Sequence, residues 1–185
     1  MNILIILLGC HISLLLNDRV NTAVKHMFDL SIVHNKPITI SWYLSGGIKN
    51  PSESYISEAE KMKDQISSML ANIYNCSKPL IFNEVDNCLI KSNFILDKEA
   101  TNTAENFIIA NNHIVRSKHK YSDIYVVTSD WHHKRAKYIS DLSIPNNNFE
   151  WILGKEEYGN FKQMEHIHMR NVQSDVFDAL RKLYS

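Results

Sequence analysis

Residues 124–136 constrain this chain more than any other stretch. Ile124, Tyr125, Val126 and Val127 form a β-branched and aromatic apolar run, too short for a helix and typical of a buried strand. The character then changes at once, with Thr128, Ser129, Asp130, Trp131, His132, His133 and Arg135 following in close order. From Ala136 the apolar residues Ile139 and Leu142 recur at helical spacing. A buried strand that ends in polar residues and turns into a helix is half of a βαβ unit. Open parallel sheets take their ligands in the crevice beyond the carboxyl ends of the strands, often with an anion on a helix N-terminus. Thr128, Ser129, His132 and Arg135 therefore stand where such a fold does its chemistry.

The rest of the chain alternates strand and helix. Strands are predicted at Ile3–Leu8, Ile38–Leu44, Phe94–Leu96 and Phe149–Leu153. Asn17 or Asp18 can cap a helix with Val20, Ala23, Val24 and Met27 on one face, which Pro37 stops. Ser57-Glu58-Ala59-Glu60 reads as a capping box opening a helix with Ala59, Met62, Ile66 and Leu70 on its apolar face. Ala104, Phe107 and Ile108 mark a third helix, and residues 156–184 carry one or two more. Residues 75–92 read as an insertion holding a short helix around Glu84 to Ile90. No repeat or linker divides the chain, so residues 1–185 are expected to form a single α/β domain. It is a three-layer sandwich, its mostly parallel sheet covered by helices on both faces.

Composition narrows the partners. The 20 basic and 20 acidic residues cancel and are scattered, which argues against nucleic acid and against a membrane surface. Cys10, Cys76 and Cys88 lack any metal-binding spacing and read as reduced cytosolic thiols. The apolar run from Asn2 to Leu16 resembles a signal peptide, and Leu7-Leu8-Gly9-Cys10 a lipoprotein cleavage site. No Lys or Arg precedes the run, however, and His11 interrupts it. The expectation is a central strand in a cytoplasmic protein, with Cys10 a free thiol in the cleft.

A parallel sheet brings the residues after each strand to one edge: Gly9, Cys10 and His11; Ser45, Gly46 and Gly47; Glu99, Asn102 and Thr103; Thr128, Ser129 and His132. Ser45-Gly46-Gly47 can be a simple tight turn, or its backbone N–H groups can form an anion nest. Glu58 and Glu60 suit a helix N-terminus, and one of them can also face the cleft. Asn102 reads as an N-cap with Glu105 as reciprocal partner; Thr103 and Asn106 follow on the same helix. His132, with an ordinary pKa of ~6.5, is the candidate acid or base. Arg135, one turn on, offers a bidentate fork to phosphate or carboxylate. His133, Lys134, His166 and His168 read as surface residues.

The order of these motifs resembles the YdcF/SanA/ElyC family: apolar strand and Gly9, Arg19, Ser45-Gly46-Gly47, Ser57–Glu60, Asn102-Thr103 with Glu105 and Asn106, then Thr128-Ser129 with His132, Arg135 and Ala136. The resemblance spans about residues 3–140 and implies a Rossmann-like domain. Two readings stay open. One is an enzyme, a hydrolase or transferase of a phosphorylated or nucleotide-like small molecule. In it Ser45, Gly46, Gly47 and Arg135 hold the anion, His132 transfers the proton, and Glu99 or Glu58 orients it or holds a divalent metal ion. The other is a non-catalytic binder of a nucleotide-like ligand such as S-adenosylmethionine, which the resemblance brings in. Oligomeric state is not legible.

Overall fold

The computed structural model describes residues 1–33, 38–48, 56–76, 92–117, 121–156 and 159–185. The helix expected around residues 84–90, most of the 75–92 insertion, Pro37 and Cys88 lie outside the described residues. Among the described residues the element order is β1 (Asn2–Leu8), α1 (Ser13–Val33), β2 (Thr39–Ser45), α2 (Glu58–Cys76), β3 (Asn93–Asp97), α3 (Thr103–Arg116), β4 (Asp123–Ser129), α4 (Asp130–Ser143), β5 (Glu150–Gly154), α5 (Phe161–Met169) and α6 (Val172–Tyr184). The five strands form one sheet in the order β3-β2-β1-β4-β5, and every pairing is parallel.

The unbroken apolar run of β1 follows from its central place, since a strand covered on both faces needs apolar side chains at every position. Ile3, Ile5 and Leu7 point one way, into a core shared with Leu16, Val20, Val24 and Met27 of α1 and Met62 and Ile66 of α2. Leu4, Ile6 and Leu8 point the other way, against Phe107 of α3, Ala136 and Ile139 of α4, and Val172 and Val176 of α6. The period-2 alternation of a strand thus divides one run between two cores. β4 does the same, with Tyr125 and Val127 on the first side and Val126 on the second.

Two boundaries differ from the sequence reading. Helix α1 begins at Ser13 rather than at a cap on Asn17 or Asp18. Leu15 and Leu16 are buried, so the apolar residues before Asn17 already belong to the helix and lengthen its core-facing stripe by a turn. Strand β4 continues through Thr128 and Ser129, and α4 starts at Asp130 without a connecting loop. No helix among the described residues is long and apolar enough to cross a membrane.

The strand order fixes where a ligand can sit. The chain builds outward from β1 through β2 to β3, then returns to the other side of β1 for β4 and β5. At that reversal the connections leave the sheet toward opposite faces, opening a crevice at the carboxyl ends of β1 and β4.

Candidate functional site

A cavity of about 310 Å³ occupies this crevice. Gly9, Gly46, Gly47, Glu58, Asn102, Thr103, Asn106, His132 and Arg135 all border it. Ser45, Thr128 and Ser129 lie beneath it, fully buried, and Glu99 is exposed outside it. Glu99 uses its backbone N–H to close a turn on Asp97 Oδ1 at 3.0 Å, so the acid proposed to orient His132 stands away from the cavity.

The glycines do not form an anion nest. Gly9 N–H donates to Ser45 O at 2.7 Å, Gly46 N–H to Asp97 O at 3.0 Å and Gly47 N–H to Ala100 O at 2.8 Å. With these donors occupied, the loops after β1, β2 and β3 are stitched to one another. Glycine is needed here for close approach. A Cβ on Gly9 would overlap the Glu58 carboxylate, and one on Gly46 would lie 2.7 Å from Glu58 Oε2. Glu58 therefore wedges between the two turns as α2 begins. The capping box forms as expected: Glu60 N–H donates to Ser57 Oγ at 3.2 Å, and Glu60 Oε2 accepts from Ser57 N–H at 3.0 Å. Lys98 closes on the other oxygen of Glu60 at 2.6 Å.

Beneath the wall on the β2 side lies a polar network. Ser45 Oγ donates to Asp97 Oδ2 at 2.5 Å and lies 3.0 Å from Asn106 Oδ1, while Asp97 Oδ1 also accepts the Ala100 N–H at 3.2 Å. Burial, and then the neighbouring Asp97 carboxylate, push the Tyr43 phenol well above its ordinary pKa. Asp97 thus collects donors from four directions and holds the loop that carries Asn102 and Thr103. Asn102 is the N-cap of α3, its Oδ1 accepting Glu105 N–H at 2.9 Å. The reciprocal bond differs from expectation: Glu105 Oε2 accepts from Thr101 N–H at 2.8 Å, one residue earlier.

Arg19 dominates the β1–β4 side. It is 2% exposed yet borders the cavity. Its Nε donates to Ser129 Oγ at 2.9 Å, and its Nη1 donates to Leu8 O at 2.8 Å and Gly9 O at 2.7 Å. Ser129, the N-cap of α4, makes no side-chain cap bond, because its hydroxyl serves the arginine instead. Burial lowers the affinity of Arg19 for its proton, against the raising influence of Cys10, Glu58 and Asp18. Sequence reasoning noted Arg19 only as part of a motif order. The available signal was a charged residue between Leu15, Leu16, Val20 and Ala23 on the core-facing stripe of α1.

On the opposite side, His132 and Arg135 converge on Glu165 of α5. Arg135 donates from Nε to Oε2 at 2.7 Å and from Nη2 to Oε1 at 3.1 Å, and His132 Nδ1 lies 3.1 Å from the same Oε1. The fork expected to hold a ligand anion thus holds a carboxylate of the protein. Burial pushes the His132 pKa down to about 4, with Arg135 and Arg19 adding to the effect and Glu165 opposing it. For Glu165, burial opposes ionisation, but the hydrogen bonds from His132 and Arg135 outweigh it and keep the carboxyl below its ordinary pKa. His132 Nε2 lies 3.4 Å from Thr103 Oγ1. Trp131 and Phe161 pack beside this cluster with ring centroids 5.3 Å apart, and both border the cavity.

Of the histidines read as surface residues, His133 is half-buried against Trp151. His166 and His168 are exposed, with His168 at the cavity rim. Cys10 is a free, half-buried thiol bordering the cavity. Among the described residues no group of His, Cys, Asp and Glu side chains is arranged to hold a metal ion, so the divalent-ion role weighed for Glu58 and Glu99 finds no ligand set there. Comparison with protein families, with curated proteins and with solved structures finds no match to this chain.

Proposed function

We propose that the chain is an enzyme acting on a small phosphorylated or nucleotide-like molecule, a hydrolase or a transferase, with His132 as its proton-transfer group. The observation that carries this reading is the buried Glu165–His132 pair at the edge of the strand-end cavity. An ionised carboxylate can only accept hydrogen bonds, so the Glu165 Oε1 contact favours the imidazole proton on Nδ1, whereas Arg135, which can only donate, favours the lone pair there. Arg135 Nη2, 3.0 Å from the same ring nitrogen, has Oε1 as its acceptor as well. With the proton on Nδ1, the Nε2 lone pair is left on the side of Thr103. With its pKa near 4, His132 is neutral at neutral pH and a weak base by itself; an anionic substrate beside it would raise that pKa toward the range that suits proton transfer from a water or a substrate hydroxyl. Glu165 would stabilise the imidazolium formed. The motif order resembles that of the YdcF/SanA/ElyC family, a resemblance that supports a nucleotide-like ligand. Cytoplasmic location belongs to this reading, since a reducing compartment keeps Cys10 a thiol.

A thermal-shift screen with nucleotides, sugar phosphates and S-adenosylmethionine tests it first. A ligand at a hundredfold its Kd adds ~2.7 kcal/mol of stability. With the substrate in hand, His132→Ala should lower kcat by roughly 10²–10⁴ with little change in KM. Unchanged turnover in that variant would sink the enzyme reading. Stabilisation by S-adenosylmethionine without turnover would favour the binding module, with Trp131 and Phe161 as the wall for its adenine.

A further inference from the structure

We propose that the Arg19 Nη2 group is the seat of the ligand's anion, a phosphate at the β1–β4 switch point. The inference rests on the functional reading above and names the group that would hold the substrate. A guanidinium carries five N–H donors in a fixed plane. In Arg19 the Nε donor and both Nη1 donors are taken by Ser129 Oγ, Leu8 O and Gly9 O. Nη2 meets no acceptor among the described residues. Neither does a carboxylate of the described residues pair with Arg19, although the side chain is almost wholly buried. A buried charge without an ion-pair partner carries a desolvation penalty, and the cavity is the direction from which such a partner can come.

The other cavity arginine differs. Arg135 is neutralised by a bidentate carboxylate on α5, so an anion arriving there would meet a pair of zero net charge. At Arg19 it would meet a planar donor without an ion-pair partner among the described residues, on which Glu58 and Asp18 act only from beyond contact, and whose orientation three hydrogen bonds already fix. Glu58, wedged against the Gly9 and Gly46 turns on the β1–β2 side, adds a polarity to the site. A ligand with phosphate on Arg19 would turn its hydroxyl or amino donors toward Glu58. The class that fits is a phosphate ester of a hydroxylated small molecule.

The test is a titration of the full chain with inorganic phosphate at constant ionic strength. It is read by thermal shift and by the ¹⁵N guanidinium resonances of arginine-labelled protein. The wild type should show a saturable rise in midpoint that chloride does not reproduce, with one guanidinium moving most. Arg19→Lys keeps the charge but loses the planar fork, and should weaken phosphate by roughly tenfold. Arg135→Lys should weaken it less. If Arg19→Lys does not fold, Ser129→Ala takes its place; it removes only the Nε acceptor and should weaken phosphate severalfold. A wild type that ignores phosphate overturns the proposal, as does a larger loss in Arg135→Lys than in the Arg19 or Ser129 variant. Phosphate held through Arg19 with no phosphorylated substrate turned over leaves the subsite standing and removes the enzyme reading. Turnover of such a substrate with KM unchanged in Arg19→Lys does the reverse.

Discussion

Arg19 reaches the cavity from α1, on one face of the sheet, and is held there by two strand-end carbonyls and a hydroxyl. Arg135 reaches it from α4, on the other face, and is held by the carboxylate of Glu165. The first is fixed by the backbone of β1 itself, so its position is as settled as the sheet. The second depends on a side chain from the nine-residue helix α5, which the sheet does not contain. The difference separates what the fold supplies from what a neighbouring helix must complete. The β1–β4 floor is built with the core, whereas the wall that carries His132 is completed by the Glu165 side chain of α5.

Glu165→Ala should break this contrast most severely. It removes the partner of both Arg135 and His132, and breaking a buried ion pair from one side costs about 3–5 kcal/mol. Urea unfolding measures it; a loss under about 1 kcal/mol would mean that α5 is not what holds the wall. Next in size comes a pH effect confined to the same wall. The His132 pKa lies below its unfolded value, so the unfolded chain binds more protons between the two. Its contribution is present above pH ~6.5, shrinks as pH falls toward 4, and is absent below, on the order of 3 kcal/mol in all. His132→Gln should flatten that part of the stability–pH curve, and an unchanged curve would remove His132 as its source. Glu165, also lowered, loses its contribution only at more acid pH, below the ordinary carboxyl range. Arg19→Met should have the smallest effect. It orphans the Leu8 and Gly9 carbonyls and the Ser129 hydroxyl but removes a buried charge without an ion-pair partner among the described residues, so a net cost below about 2 kcal/mol is expected by urea unfolding. If it exceeds the cost of Glu165→Ala, the floor rather than the wall is the fragile half.

Much of the floor was legible because local rules produce it. The apolar runs of β1 and β4, the Ser57–Glu60 capping box and the Asn102 cap each follow from a few adjacent residues. Parallel topology then gathers the strand ends without further information. The wall was only half legible. His132 and Arg135 announce themselves by following a buried strand, but their partner lies 30 residues from Arg135. It sits on a helix whose apolar residues Met164 and Ile167 are exposed, Met164 at the cavity. No periodicity marks such a position. Asp97 was missed although it ends a strand, because an acid there reads as a turn residue until Ser45 and Tyr43 are seen beside it. Gly46 and Gly47 were read as a tight turn or as N–H donors to an anion, whereas the constraint on Gly9 and Gly46 is room for the Glu58 side chain and that on Gly47 the nearby carbonyls of Lys98 and Ala100, all from other parts of the chain.

The stitched loops bear on how binding would register in a calorimeter. Gly9, Gly46 and Gly47 hand their amide protons from the loop of one strand to that of the next, so the floor has little disorder left to lose. A ligand settling on it forfeits almost no backbone entropy there, and preorganisation of this kind raises affinity without adding a contact. Deuterium exchange at these three amides should run as slowly as in the neighbouring strands and stay nearly unchanged on ligand binding. Whatever adjustment the ligand demands then falls to the α5 side, where shape is negotiated rather than inherited.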